Sequence, residues 1–329
     1  MCGTYRGSAV SGVPVCGEKV EDMSYAYYEC GNLTGSPVCG PNVINMSYSY
    51  NGCYGLTGNP ICGENVTDMS RAYNSCYQLT GSPVCSNNVT NMSGTYSGCR
   101  NLTGSPIFGP NVTDAGSAYY ECSNLTGNPI CPPIIVNMAR IYGYCSNLTG
   151  SPICGENVTN MYGAYENCSN LTGSPVCGEN VISMVNTYSG CKNLTGNFVC
   201  GNNVKYMSNA YSSCNKISGA PVCGSNVTSM PYAYFNCGKA QGNMYMYSSN
   251  VSDMRNCFYG RNTSNMLNIY VLSNSISFNS VINTYYNKTI DGMSNITNDM
   301  TNNSRYFTNT NIYIYPVADV AAARAANGD

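Results

Sequence analysis

The chain has no histidine and no tryptophan among its 329 residues, and only 9% of them carry charge. Without imidazole there is neither a general base poised near neutral pH nor the commonest neutral metal ligand. A net charge of −2 gives no long-range field that would draw nucleic acid or an anionic lipid surface to the protein. No stretch approaches the roughly 18 consecutive apolar residues of a membrane-spanning helix. Nucleic-acid binding and membrane insertion are therefore not expected. The start, Met1 to Arg6, lacks the apolar run of a signal peptide, so either export follows another route or the natural start lies upstream.

What is present is periodic. Cys16, Cys39, Cys62 and Cys85 are spaced by 23, Phe108 holds the next place, and Cys131 to Cys223 resume the column. A second column, from Cys30 through Cys53, Cys76 and Cys99 to Cys237, keeps the same step. A fixed period of this size predicts a solenoid, in which each repeat is one coil and stacked coils share a core. Around each second-column cysteine the same apolar columns return. Leu33, Leu56 and Leu79 form one, Val38, Ile61 and Val84 another, and a tyrosine column runs from Tyr27 and Tyr50 to Tyr234. No single period of 2 or 3.6 runs through a coil, so the coil bends several times. The strand of each coil is expected around Leu-Thr-Gly and the following Val/Ile-Cys. Pro37, Pro60, Pro83 and their equivalents lack an amide hydrogen there, which predicts interrupted ladders. The Met-x-x-Ala-Tyr part is expected to make one helical or 3₁₀ turn.

These columns resemble the BspA-like leucine-rich repeats, and the branch carrying Asn-Val-Thr-Asn-Met-Ser, as in Asn88 to Ser93, is most similar. Tyrosine stands where that family has phenylalanine, and Ser-Pro where an apolar strand residue is usual. The resemblance implies a surface-exposed binding or adhesion protein and no enzymatic activity. The expected architecture is mainly β with short helical or 3₁₀ turns: a leucine-rich-repeat solenoid of about ten 23-residue coils over 16–237. A partial, uncapped first coil is expected over 1–15, and a degenerate coil with a β-rich capping module over 238–329. Within that module Leu267 to Leu272 and Asn311 to Pro316 alternate like half-exposed strands, and the alanine-rich end suggests a short helix stopped by Gly328.

The 21 cysteines are read as reduced, inward-facing apolar side chains, with disulfides between neighbouring coils as the alternative. Zinc is disfavoured because the spacings lack the short Cys-x₂₋₄-Cys clip. Asn-x-Ser/Thr triplets at Asn32, Asn65, Asn101, Asn124, Asn147 and Asn170 are nominal glycan acceptors, but stacked asparagines can equally bond along the repeats. Glu156 and Glu179 share a column without a partner acid, base or metal motif. No catalytic residue, cofactor or metal ligand is assigned.

Variable positions are the candidate partner-binding surface. Two residues after the methionine come Tyr25, Tyr48, Arg71, Arg140 and Tyr232; beside the second cysteine come Tyr28, Tyr54, Tyr77, Arg100, Tyr120 and Lys192. Exposed tyrosine and arginine are well suited to anchor a protein or glycan partner. The expected function is a non-enzymatic recognition or adhesion module, extracellular or on a cell or virion surface. The alternative is a structural component of a larger assembly, such as a phage fibre or surface filament, docked or self-assembled through the uncapped first coil.

Overall fold

The structure, a computed structural model, describes residues 2–246, 248, 251–260, 267–272 and 310–315. It divides into two compact units, Met1–Thr172 and Gly173–Asp329. No helix occurs among the described residues. The described residues are compatible with a mainly non-helical repeat fold.

In the first unit the expected helical turn is instead a run of open turns, and the hydrogen bonding shows why. An Asx turn starts each run: Asp68 Oδ1 accepts from Ser70 N–H at 2.7 Å, and Asn91 Oδ1 from Ser93 N–H at 3.0 Å. The following amides then alternate. Met69, Arg71, Tyr73 and Ser75 donate to carbonyls of the next repeat, at Asn91, Ser93, Thr95 and Ser97. Ala72, Asn74 and Cys76 donate three residues back within their own repeat. A helix would keep every amide to itself, whereas here every second one joins the neighbouring repeat. Parallel bridges Asp22↔Asn45, Asn45↔Asp68, Asp68↔Asn91 and Asn91↔Asp114 fix the register at one repeat.

The Leu-Thr-Gly segment, expected as a strand, forms none in these repeats. It contributes one backbone bond between neighbouring repeats, as from Thr103 N–H to the Gly81 carbonyl at 2.8 Å, and the proline that follows interrupts the ladder. Gly104, in this segment, has φ +81, and an added Cβ would stand 2.5 Å from Ser82 Oγ, so the turn tolerates no side chain there.

The core is columnar. Tyr27, Tyr50, Tyr73, Tyr96, Tyr119, Tyr142 and Tyr165 are buried. Successive rings lie 5.3 to 5.8 Å apart, near parallel. Their hydroxyls turn to the backbone: Tyr96 Oη accepts from Val84 N–H at 3.0 Å and donates to the Val84 carbonyl at 2.7 Å, a pairing repeated at Tyr50, Tyr73 and Tyr119. The second-column cysteines are buried free thiols. Each donates to a carbonyl of the preceding repeat, as Cys99 Sγ does to Tyr73 at 3.0 Å.

In the second unit Tyr188, Tyr211, Tyr234 and Phe258 stack in the same manner, 5.5 to 5.7 Å apart. Here regular strands appear: β1 (Gly242–Met246), β2 (Leu267–Leu272) and β3 (Thr310–Tyr315) form a parallel sheet in that order. The two strands expected from alternation are thus present. β1 occupies the proline-bearing segment of its repeat, but Met244 replaces the proline and pairs with Ile269. Phe198 also replaces a proline, yet its neighbours Pro175 and Pro221 still cannot pair; it is buried edge-on against Tyr211 and Tyr234 at 5.1 and 5.0 Å. The helix expected before Gly328 lies outside the described residues.

Candidate functional site

Three groups of tyrosine and arginine form on the first unit, each positioned by the run of turns. Tyr25, Tyr48, Arg71 and Arg140 occupy the third place of the first turn in their repeats, with φ of 53, 56, 50 and 54°. Left-handed backbone at that place is what a type II turn requires. Equivalent places hold Gly94 and Gly163, at φ 62 and 58°. In the first group Tyr25 and Tyr48 stack at 4.6 Å, Tyr28 lies tilted against both, Arg6 covers Tyr25 and Tyr28, and Arg71 covers Tyr48 at 5.5 Å. In the second, Tyr54 and Tyr77 stack at 5.2 Å, Arg100 lies over Tyr77 at 5.4 Å and pairs with Glu121 at 2.7 Å. That exposed ion pair keeps Arg100 firmly protonated.

The third group centres on Arg140, held between the rings of Tyr120 (5.6 Å) and Tyr162 (5.1 Å) and donating from Nη2 to Tyr162 Oη at 3.1 Å. Tyr144 packs edge-on against Tyr120 and bonds Glu166 at 3.4 Å. Burial raises the Glu166 pKa from its ordinary value, with nearby Arg140 opposing the shift.

Between Arg71 and Arg140 lies a cavity of about 260 Å³ lined by Arg71, Asn74, Ser93, Gly94, Ser97, Gly116, Ser117, Tyr120 and Arg140. The two repeats between the arginines carry the small residues Gly94 and Ser117 in the column that holds Tyr25, Tyr48, Arg71 and Arg140, and the space they leave is the cavity. A Cβ on Gly94 would stand 3.0 Å from Arg71 Cγ, so the arginine lies across the bare glycine. Neither arginine takes part in an ion pair among the described residues.

The structure therefore brings together nine of the eleven sequence candidates in three clusters. Lys192 and Tyr232 belong to the second unit, where Lys192 is exposed and Tyr232 packs edge-on against Phe235 at 5.7 Å. Sequence reading missed Arg6, Glu121, Tyr144, Tyr162 and Glu166. Tyr144 and Tyr162 were detectable as bulky residues in columns otherwise small or polar.

Asn65 Nδ2 donates to the Pro41 carbonyl at 3.0 Å, and Asn88 and Asn111 do the same one repeat on, so this asparagine column serves the stacking of repeats. Among the described residues no group of three or more metal-ligating side chains converges, and no helix is long and apolar enough to cross a membrane. No protein-family model and no curated protein matches the chain.

Proposed function

We propose that this chain is a non-enzymatic recognition module: a leucine-rich-repeat solenoid, closed at its C-terminal end by the β1–β3 sheet, that presents tyrosine and arginine to a protein or glycan partner at a cell or virion surface. The observation that carries this reading is the backbone beneath Tyr25, Tyr48, Arg71 and Arg140, which is left-handed. Such a conformation costs a residue with a Cβ roughly 1–2 kcal/mol. The same column is left-handed at Gly94, Gly163, Asn186 and Asn209 too, glycine and asparagine being the types that such backbone accepts most readily, and at Ser117. Tyrosine and arginine kept against that preference point to a task for their side chains, and strained positions concentrate where proteins bind. The stacked, partly exposed rings support the same conclusion, because rigid aromatic anchors lose little conformational entropy on binding.

The test is a glycan and protein panel probed with the intact chain and with a Tyr48→Ala, Tyr54→Ala, Tyr77→Ala triple variant. Binding by the parent chain that falls by at least about tenfold in the variant is expected. Undiminished binding, with the variant shown to be folded, would overturn the reading.

A further inference from the structure

We propose that the cleft between Arg71 and Arg140 binds a carboxylate-bearing saccharide, one hexuronic-acid-like unit at a time. This rests on the recognition reading above and names the ligand class of one part of that surface. The two arginines stand three repeats apart in one column, with Gly94 and Ser117 between them. At about 4.8 Å per paired backbone segment their Cα atoms are separated by roughly 14 Å, so two extended side chains can reach toward a common occupant. The cavity of about 260 Å³ suits one sugar ring with its substituents and is too small for a folded partner to enter.

The lining chooses the chemistry. A guanidinium presents a planar fork that matches a carboxylate, and Arg71 is not engaged in an ion pair among the described residues. Arg140 gives Nη2 to Tyr162 and keeps its other donors for a ligand. No carboxylate lines the cleft, so an anion meets no like charge on its walls. Ser93 and Ser117 offer hydroxyls that can both donate and accept, which is what ring hydroxyls need, and Tyr120 offers an aromatic wall for the apolar face of a sugar. A neutral sugar would leave Arg71 without an anionic partner, and a bare inorganic anion would leave the hydroxyls and the tyrosine unused.

The experiment titrates the intact chain, by calorimetry or NMR, with methyl glucuronide, with methyl glucoside as the neutral counterpart, and with sodium sulfate. The glucuronide should bind at least about tenfold more tightly than either of the others. Arg71→Gly and Arg140→Gly should each weaken it by about tenfold or more. Both variants should keep or raise the melting temperature, since glycine suits a positive φ. Arg71→Lys, which keeps the charge and loses the fork, should also lose most of the preference over glucoside. Equal affinity for glucuronide and glucoside, sulfate binding as tight as glucuronide, or glycine variants that bind unchanged would each overturn the proposal. If the panel partner still depends on Tyr48, Tyr54 and Tyr77 while glucuronide does not bind, only the cleft assignment falls. If glucuronide binds as expected while the triple variant loses nothing on the panel, the wider reading falls and the cleft stands.

Discussion

The hydroxyl of Tyr96 both accepts from and donates to the backbone of Val84, in the segment where Pro83 keeps neighbouring repeats from pairing as a ladder. One oxygen atom thereby satisfies an amide and a carbonyl that a sheet would otherwise have taken. Tyr96→Phe keeps the ring stack and strands both groups; a loss of about 1–3 kcal/mol is expected, read as a lower denaturant midpoint. The tyrosine column and its burial were legible in the sequence, because a residue type repeated at one offset announces a common environment. The destination of the hydroxyl was not legible, since it depends on which backbone groups the fold leaves over. The cysteines yield a second prediction. Burial raises the Cys39 and Cys85 thiols from 9.0 to about 11, and Cys53 and Cys200 to about 12. Folded thiols thus hold their protons after unfolded ones have lost them. Their stabilisation is complete below pH 9, declines as pH rises from there, and is spent once pH passes the folded values near 11 to 12. An unfolding midpoint that falls steadily above pH 9 is expected, and one that stays flat from pH 8 to 11 would contradict this account of the buried thiols.

At the scale of elements, proline and tyrosine are both replaced in the repeat that forms β1, whereas the repeat with Phe198 in the proline place keeps Tyr211 bonded to Val199. The repeat that contains β1 has Met244 where other repeats have proline, and Phe258 where they have tyrosine. Once the segment pairs as a strand, with Met244 opposite Ile269, its backbone no longer calls for a hydroxyl, and phenylalanine suffices for the stack on Tyr234 at 5.7 Å. Two consequences can be measured. Met244→Pro should break the β1–β2 pairing and speed amide exchange across Leu267–Leu272. Phe258→Tyr should gain no stability, in contrast to the cost of the opposite change at Tyr96, because it buries a hydroxyl beside a backbone already paired. The strands at Leu267–Leu272 and Thr310–Tyr315 were legible from their alternation, whereas β1 (Gly242–Met246) was not. The run of turns was misread as helical because the spacing of Met, Ala and Tyr suits one helical turn, and only the neighbouring repeat decides where alternate amides go. Proline gave the right warning about interrupted ladders, but no sign that the bridges would move to the Asp/Asn column at Asp22, Asn45 and Asp68.

For the molecule as a whole, a period this strict means that each interior repeat of the first unit meets the same surfaces on either side. The bonds from Met69, Arg71 and Tyr73 to Asn91, Ser93 and Thr95 recur one repeat on, from Met92, Gly94 and Tyr96 to Asp114, Gly116 and Ala118. Nearest-neighbour contacts of this kind make stability roughly a sum over repeats and their junctions. Removing residues 77–99, one complete 23-residue period, joins Cys76 to Arg100 and leaves every column in register. That deletion should fold with a smaller denaturant m-value, in proportion to the surface lost, whereas removing 77–98 shifts every later side chain by one place and should not fold. The in-register deletion also removes Gly94 and brings the two arginines one repeat closer, from roughly 14 to roughly 10 Å between Cα atoms. A cleft that depends on two small residues between two large ones then keeps only one of them and closes to about two thirds of its length. A folded deletion variant that no longer takes up the acidic sugar is the expected outcome, and one that binds it with undiminished affinity would show that the spacing of Arg71 and Arg140 is not what selects the ligand.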